Sequence, residues 1–149
     1  MLPDSSDIDA AVLAALSADA QLKTLTPDGV WWDVPPQNSL RFVIVSLVIS
    51  QDLGAFGPAR ERRLREGITY LVKSVLPGAD GANSKAAAAR IDRVLEDTPL
   101  TIAGYHHLAS YRIERVRATE PDPVDQSLRW QHRGGRYRVE VTPIYGGSL

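Results

Sequence analysis

The sequence predicts an α+β protein, in which an antiparallel or mixed β-sheet of about five strands carries two helices on one face. Apolar residues recur with a helical period in two segments and with a period of two residues in several others, and this mixture predicts the class. The length of 149 residues is that of one ordinary domain. We therefore expect a single domain over residues 1–149.

The first helix is expected to begin at Ser5 or Ser6. A serine oxygen can accept hydrogen bonds from free N–H groups of the first turn, and acidic residues there complement the positive helix end. An apolar stripe follows at helical spacing, formed by Ile8, Val12, Leu16, Leu22 and Leu25. We expect a break near Ser17 and an end at the turn sequence of residues 26–29.

Three strands are expected next. Residues 30–34 form a short strand that ends at Pro35, because proline cannot donate a hydrogen bond to a sheet. Residues 41–50 are apolar on both faces, which indicates a central strand. Residues 66–76 alternate in the same way and end at Pro77-Gly78.

A second helix follows, with Asn83 or Ser84 as its N-cap and Pro99 after its end. Three strands are expected to complete the chain. Residues 108–116 alternate between apolar and polar side chains, which is typical of a half-buried antiparallel strand. The last two strands are expected to form a hairpin.

The hairpin prediction depends on the glycine pair Gly134-Gly135. Two glycines allow the positive φ angles of a two-residue turn. In that register His132 is opposite Tyr137 on one face, while Gln131 is opposite Arg138 on the other. The buried face would then hold Leu128, Trp130, Val139 and Val141, and the wet face would pair Arg129 with Glu140.

Composition excludes several classes of protein. The chain has no cysteine, so disulfides, thiolate zinc sites and iron–sulfur clusters are impossible. Its most apolar run, residues 42–49, is shorter than a membrane span, and the first thirty residues lack a signal-peptide pattern. We expect a soluble, unexported protein. The net charge of −1 does not favour a nucleic-acid or membrane binder.

Catalytic and metal-binding motifs are absent from the sequence. It has no phosphate-binding loop, no nucleophile elbow and no metal-ligand spacing. His106 and His107 are adjacent, and adjacent residues of a strand point to opposite faces, so their rings cannot easily share a metal ion. We expect no enzymatic activity, no metal and no cofactor. A small enzyme or ligand-binding domain remains an alternative, and its candidate residues would be His106, His107, Trp31 and Trp32.

The segment of residues 51–65 is the candidate interaction site. It is longer than the two to five residues of an ordinary hairpin, and long connections in compact domains usually have a function. Its second half concentrates four arginines, Arg60, Arg62, Arg63 and Arg65. Residues 1–33 hold six Asp and one Lys, so an adjacent copy could offer carboxylates to these arginines. The candidate acidic residues of that subunit interface are Asp4, Asp7 and Asp9, which also have a structural reason to lie in a first helical turn.

The arrangement of elements resembles a known family. It has an alanine-rich first helix at residues 8–19, then Val-Trp-Trp-Asp-Val-Pro-Pro at residues 30–36 leading into Phe42-Val43-Ile44-Val45. An alanine-rich second helix, Leu-Thr-Ile-Ala-Gly at residues 100–104 and the closing hairpin follow. This pattern is similar to the tail terminator, or tail completion, proteins of long-tailed bacteriophages and gene transfer agents.

The resemblance implies a subunit of a ring, typically a hexamer, at the head-proximal end of the tail tube. Such a ring stops tube polymerisation and joins the tail to the neck of the head. The implied partners are other copies of the chain, the major tail tube protein and a neck or stopper protein, while DNA passes through the lumen without specific binding. The implied location is the virion, at the tail-neck junction, after assembly in the host cytoplasm. Another head–tail joining ring protein is the nearest alternative.

Overall fold

The computed structural model describes residues 3–54, 63–78 and 81–145. In this part of the chain the helices are α1 (Ser6–Ala18), α2 (Ala20–Leu25) and α3 (Gly81–Glu96). The strands are β1 (Val30–Trp32), β2 (Phe42–Gly54), β3 (Arg63–Pro77), β4 (Tyr105–Pro121) and β5 (Arg129–Pro143). The predicted α+β class with about five strands is confirmed.

The five strands form one mixed sheet in the order β1-β2-β3-β5-β4. β1 is parallel to β2, and every other neighbouring pair is antiparallel. β5, which is last in the chain, therefore lies inside the sheet between β3 and β4. The helices all contribute to one apolar cluster on one face of the sheet.

The main core lies between the helices and this face. β2 contributes Val43 and Val45, and β5 contributes Tyr137, Val139 and Val141, all of them fully buried. β3 adds the buried side chains Ile68, Tyr70 and Val72, and the helices add Ile8, Val12, Leu16, Leu22, Ala87, Ile91, Val94 and Leu95. A second, small cluster on the opposite face contains Phe42, Ile44 and Val75, with Trp130 packed against it.

Asp19 causes the predicted break in the first helix. Its carboxylate accepts a hydrogen bond from the Leu22 N–H at 2.9 Å, so it caps α2 just after α1 has ended. The same carboxylate pairs with Arg90 of α3 through two hydrogen bonds of 2.6 and 2.7 Å. At the start of α1, by contrast, the Ser5 side chain makes no cap, and Asp4 accepts from the Ser6 N–H instead.

The predicted closing hairpin is wrong, because β5 runs straight through the glycine pair. Gly134 lies between Lys73 of β3 and Val116 of β4, and Gly135 continues the same ladders. A Cβ at Gly134 would stand 2.0 Å from the Val72 carbonyl oxygen, so glycine is required here by close approach of the backbone rather than by a turn.

All the residue pairs of the predicted hairpin fail with it. In a continuous strand, residues of even and odd number point to opposite faces. Val139 and Val141 are buried beneath the helices, whereas Trp130 lies on the other face with Phe42 and Ile44. Leu128 precedes β5.

The predicted loop of residues 51–65 is shortened at both ends. Gln51 is paired with Gly67, Asp52 with Glu66 and Leu53 with Arg65, so the two strands extend further than predicted. Residues 55–62, which connect them, lie outside the described residues. β4 is also longer than the predicted 108–116, and bulges at Leu108 and Ile113 shift its alternation. None of the helices described is long and apolar enough to span a bilayer.

Candidate assembly surfaces

The outer half of β2 forms one open edge of the sheet. β1 pairs only with Val43, Ile44 and Val45. From Ser46 to Gly54, β2 therefore has a strand on one side only among the described residues. This edge bears Leu47, Val48 and Ile49, which are 44 to 47% exposed, and Val48 is an extra residue in a bulge. Apolar side chains on an open strand edge favour contact with another chain.

β4 forms the opposite open edge, where β5 is its only neighbouring strand in the described part of the chain. Three large apolar residues, Leu108, Tyr111 and Ile113, are 43 to 53% exposed on this strand. Leu108 and Ile113 are the two bulge residues, which have no partner in the ladder with β5. Both edges of the sheet thus combine bulges with exposed apolar side chains.

A basic groove lies between α3 and β4. Its volume is about 270 Å³, and it is lined by Lys85, Ala88, Ala89, Arg115, Arg117 and Arg133. Arg115 pairs with Asp92, whereas Lys85, Arg117 and Arg133 make no ion pair with any residue that the structure describes. The groove therefore presents uncompensated positive charge that suits carboxylates or other anions.

Asp92 of α3 fixes one wall of this groove. Its carboxylate accepts hydrogen bonds from the Tyr137 hydroxyl of β5, from Arg112 at 2.5 Å and from Arg115 at 3.1 Å. Burial, together with the Asp92 carboxylate, raises the pKa of Tyr137, which therefore stays protonated as the donor. α3 is thus held to both β4 and β5 by one carboxylate.

The four arginines of the predicted site are only partly described. Arg60 and Arg62 lie outside the described residues. Arg63 begins β3 opposite Gly54, and Arg65 is an exposed residue opposite Leu53. The structure thus places two of the four at the far end of the β2–β3 pair, and their role in an interface stays a prediction.

The three predicted acidic residues have different environments. Asp4 is exposed, and its hydrogen bond from the Ser6 N–H lowers its pKa. Asp7 is half-buried. Asp9 accepts a 2.5 Å hydrogen bond from the Tyr70 hydroxyl, and burial raises its pKa. The carboxylate of Asp9 is therefore bonded inside its own chain, while the interface role of all three stays a prediction.

The residues of the alternative ligand site do not converge. His107 accepts a hydrogen bond from the Leu100 N–H at 3.0 Å and lies 2.6 Å from the Ser110 hydroxyl, so its ring fixes the start of β4. Trp32 packs edge-on against Tyr70, and Trp31 donates to the Asp28 carbonyl at 2.6 Å. Across the described ranges, no three His, Asp or Glu side chains are grouped so that they could hold a metal ion.

Sequence reasoning missed both open edges and the basic groove. The edges depend on which strands become neighbours, and β5 inserts between β3 and β4 without a local signal. The sequence holds a partial signal for the groove, since Arg115 and Arg117 flank Val116, the last residue of the predicted strand 108–116.

Comparison with known proteins identifies the fold. No protein-family model and no curated protein matches the sequence. Among solved structures, a chain from the virion of a native gene transfer agent particle superposes with a TM-score of 0.68 at 22% identity, covering 93% of this chain and 96% of that one. A second solved chain, whose name describes no function, matches with a TM-score of 0.52 at 16% identity over 97% and 99% of the two chains. The protein therefore shares its fold with a gene transfer agent virion subunit.

Proposed function

We propose that this protein is a structural subunit of a phage-like virion and that it acts as a tail terminator. The observation that carries the proposal is the fold match with a gene transfer agent virion chain, which extends over nearly the whole of both chains. The sequence resemblance to tail terminators rests on different features, namely the two alanine-rich helices, the Trp-Trp segment that leads into β2 and residues 100–104. The closing hairpin that belonged to the same pattern does not form at Gly134-Gly135. A non-enzymatic subunit of this kind needs interaction surfaces rather than a catalytic pocket.

In the proposed assembly, six copies form a ring on the head-proximal end of the tail tube. One side of the ring binds the last layer of the tail tube protein and stops its polymerisation. The other side binds a neck or stopper protein, and DNA passes through the centre. Two open sheet edges and a charged groove on one subunit supply separate surfaces for a neighbouring copy and for other partners. Six copies of the 16.3 kDa chain weigh about 98 kDa.

The arginines of residues 60–65 are proposed to bind carboxylates of the tail tube protein or of an adjacent subunit. Asp4 of that adjacent copy is an exposed candidate partner. A single exposed ion pair contributes only about 0.2–1 kcal/mol, so the effect depends on several pairs repeated around a ring. Replacing Arg60, Arg62, Arg63 and Arg65 together by Glu should leave the melting temperature nearly unchanged but prevent stable assembly on tails. Normal tails from this variant would contradict the role of this segment.

Deletion of the gene from a strain that produces the particle tests the proposed function. Electron microscopy should reveal tails of uncontrolled length without heads, and a plasmid copy should restore normal particles. Tails of normal length detached from DNA-filled heads would instead identify a neck protein and contradict the terminator role. Unchanged, complete particles would contradict both roles.

A further inference from the structure

We propose that the open edge of β2 in one copy pairs with the open edge of β4 in the next copy, so that the sheets of neighbouring subunits join. The inference deepens the proposed function, on which it rests, because it assigns the contact between copies in the ring. Its occupant is a second copy of this chain. Four properties of the two edges lead to it: their direction, the level of their exposed apolar residues along the sheet, the charges beside β1 and the second bulge of β4.

The directions of the two edges are compatible. Each pair among β2, β3, β5 and β4 is antiparallel, so the chain direction alternates across these four strands. β2 and β4 therefore run in opposite directions. When two copies lie side by side in the same orientation, β4 of one copy meets β2 of the next as an antiparallel pair, and among the described residues neither edge has a further strand on that side below β1.

The exposed apolar residues lie at the same height on both edges. Across the sheet, Ile49 of β2 is paired with Thr69 of β3, Thr69 with Arg138 of β5, and Arg138 with Tyr111 of β4. Ile49 and Tyr111 are thus level with each other on opposite edges and belong to the same face of the sheet. By the same ladders, Ser50 is level with Ser110. Two copies can therefore pair without any slide along the strands.

At the end of the sheet where β1 lies, the two edges carry charges of opposite sign. β1 occupies the side of β2 at the level of Val43 to Val45, and Asp28 and Asp33 flank β1 as exposed acidic residues. The same ladders place Arg115 level with Val45 and Arg117 level with Val43. In the proposed pairing, Arg115 and Arg117 of the next copy therefore come beside β1, between the levels of Asp28 before it and Asp33 after it, while the exposed apolar residues of the two edges face each other further along the strands.

The second bulge of β4 lies close to the level at which β1 ends and the edge of β2 becomes open. β1 leaves the side of β2 after Val45, and Glu114, just beyond the bulge at Ile113, is level with Ser46. A bulge bends its strand, so the upper half of β4 can diverge from the line that its lower half follows beside β2. A contact that repeats by rotation without translation closes into a ring, whereas one with a slide would form a filament.

Engineered cysteines test this contact directly, because the chain contains no cysteine of its own. Ile49→Cys and Tyr111→Cys are made as separate full-length proteins, and both sites are exposed, so their melting temperatures should match that of the parent. Directly opposite residues of an antiparallel pair lie within disulfide distance. On mixing at high concentration under mild oxidation, the two variants should form a mixed disulfide of about 33 kDa, twice the 16.3 kDa chain.

The matched control mixes Ile49→Cys with Val124→Cys. Val124 is 93% exposed and lies in the loop that connects β4 to β5, outside both edge strands. The edge pair should give several times more mixed disulfide than this control. The double variant I49C/Y111C should give a ladder of covalent oligomers that stops at the ring size. No excess over the control, or disulfides only between identical variants, would overturn the proposal.

The same cysteine variants in a particle-producing strain separate this inference from the proposed function. Normal tails that depend on the gene, but carry no Ile49–Tyr111 crosslink, would overturn the edge contact and leave the terminator role intact. A crosslinked ring from a gene whose deletion has no effect on tails would support the edge contact and overturn the terminator role.

Discussion

The two faces of the sheet differ in how they are covered. One face packs against all three helices and holds a large cluster that includes Tyr70, Val72 and Tyr137, each fully buried. The other face, in the described residues, has only a small cluster at one end, formed by Phe42, Ile44, Val75 and Trp130. The rest of that face bears polar and charged side chains, such as Arg136, which lies 3.6 Å from Glu114, and His132, which lies 3.3 Å from Glu120.

This difference indicates which face determines the stability of the subunit and which face tolerates substitutions. Burial of apolar area supplies most of the folding free energy, whereas exposed ion pairs contribute little. The helix-covered face should therefore determine the stability of the subunit, and the open face can vary in sequence with little loss. The four expectations below test this contrast from the largest effect to the smallest.

The largest loss is expected at Tyr70 on the covered face. Its ring packs edge-on against Trp32 at 6.2 Å, and its hydroxyl donates to Asp9. Tyr70→Ala should lower the free energy of unfolding by about 3–5 kcal/mol, as for other emptied aromatic sites. Leu71→Ala is the control on the next residue of the same strand, which faces the open side, and it should cost less than about 2 kcal/mol. Equal losses in urea unfolding would contradict the contrast between the faces.

The next effect is expected at Gly134, where a side chain would meet the backbone of β3. Gly134→Ala would place a Cβ 2.0 Å from the Val72 carbonyl oxygen and 2.6 Å from the Lys73 Cα, both backbone atoms. The strands must then separate, and we expect a loss of about 1–3 kcal/mol or more. Gly81→Ala is the control, because its nearest contact would be a side-chain oxygen at 3.8 Å, and it should be neutral or slightly stabilising. A neutral Gly134→Ala would mean that the strand is not confined there.

A smaller loss is expected at Trp130, which is half-buried on the open face. Its ring covers the small cluster, and its indole N–H donates to Asp122 at 2.9 Å. Trp130→Ala should cost about 1–2 kcal/mol, which is less than a fully buried aromatic residue would. Trp130→Phe keeps most of the apolar contact and should recover part of the loss. A loss as large as that of Tyr70→Ala would show that the open face is covered more fully than the structure indicates.

The smallest effect is a pH dependence from His132 on the open face. Burial, with a further contribution from Lys73, lowers its pKa below the ordinary 6.5. The folded protein then binds this proton less tightly than the unfolded chain, so stability should fall as the pH drops below 6.5 and level off below the lowered pKa. His132→Gln should flatten the plot of stability against pH below about pH 6.5. Burial also lowers the pKa of His107, which should supply part of the remaining slope. An identical slope in the variant would contradict the role of His132.

Local patterns predicted the elements that local forces determine. The stripe of Ile8, Val12 and Leu16 located α1, and the apolar residues with a period of two in residues 41–50 and 66–76 located β2 and β3 to within a few residues. The class of the fold followed from the same periodicities.

The other features of the fold depend on contacts between residues distant in the sequence, so local patterns did not predict them. Gly134-Gly135 has the same local signature whether it turns a hairpin or lets two neighbouring backbones approach, and only the positions of β3 and β4 distinguish the two cases. The bulges at Leu108 and Ile113 shift the alternation of β4, so the sequence pattern covered only its middle. The candidate assembly surfaces were missed for the same reason, since the order of strands in the sheet determines which edges are open.

The order of strands in the sheet has a consequence for the time course of folding. β2 with β3, and β4 with β5, are consecutive in the chain, and each pair can form early because it closes a short loop. β3 and β5 instead join distant segments, such as Glu66 with Val141. We expect the slow step to be the docking of two preformed hairpins along this seam, which Gly134 lines. If so, Gly134→Ala should slow refolding more than it accelerates unfolding, and the reverse result in stopped-flow experiments would place the seam after the transition state.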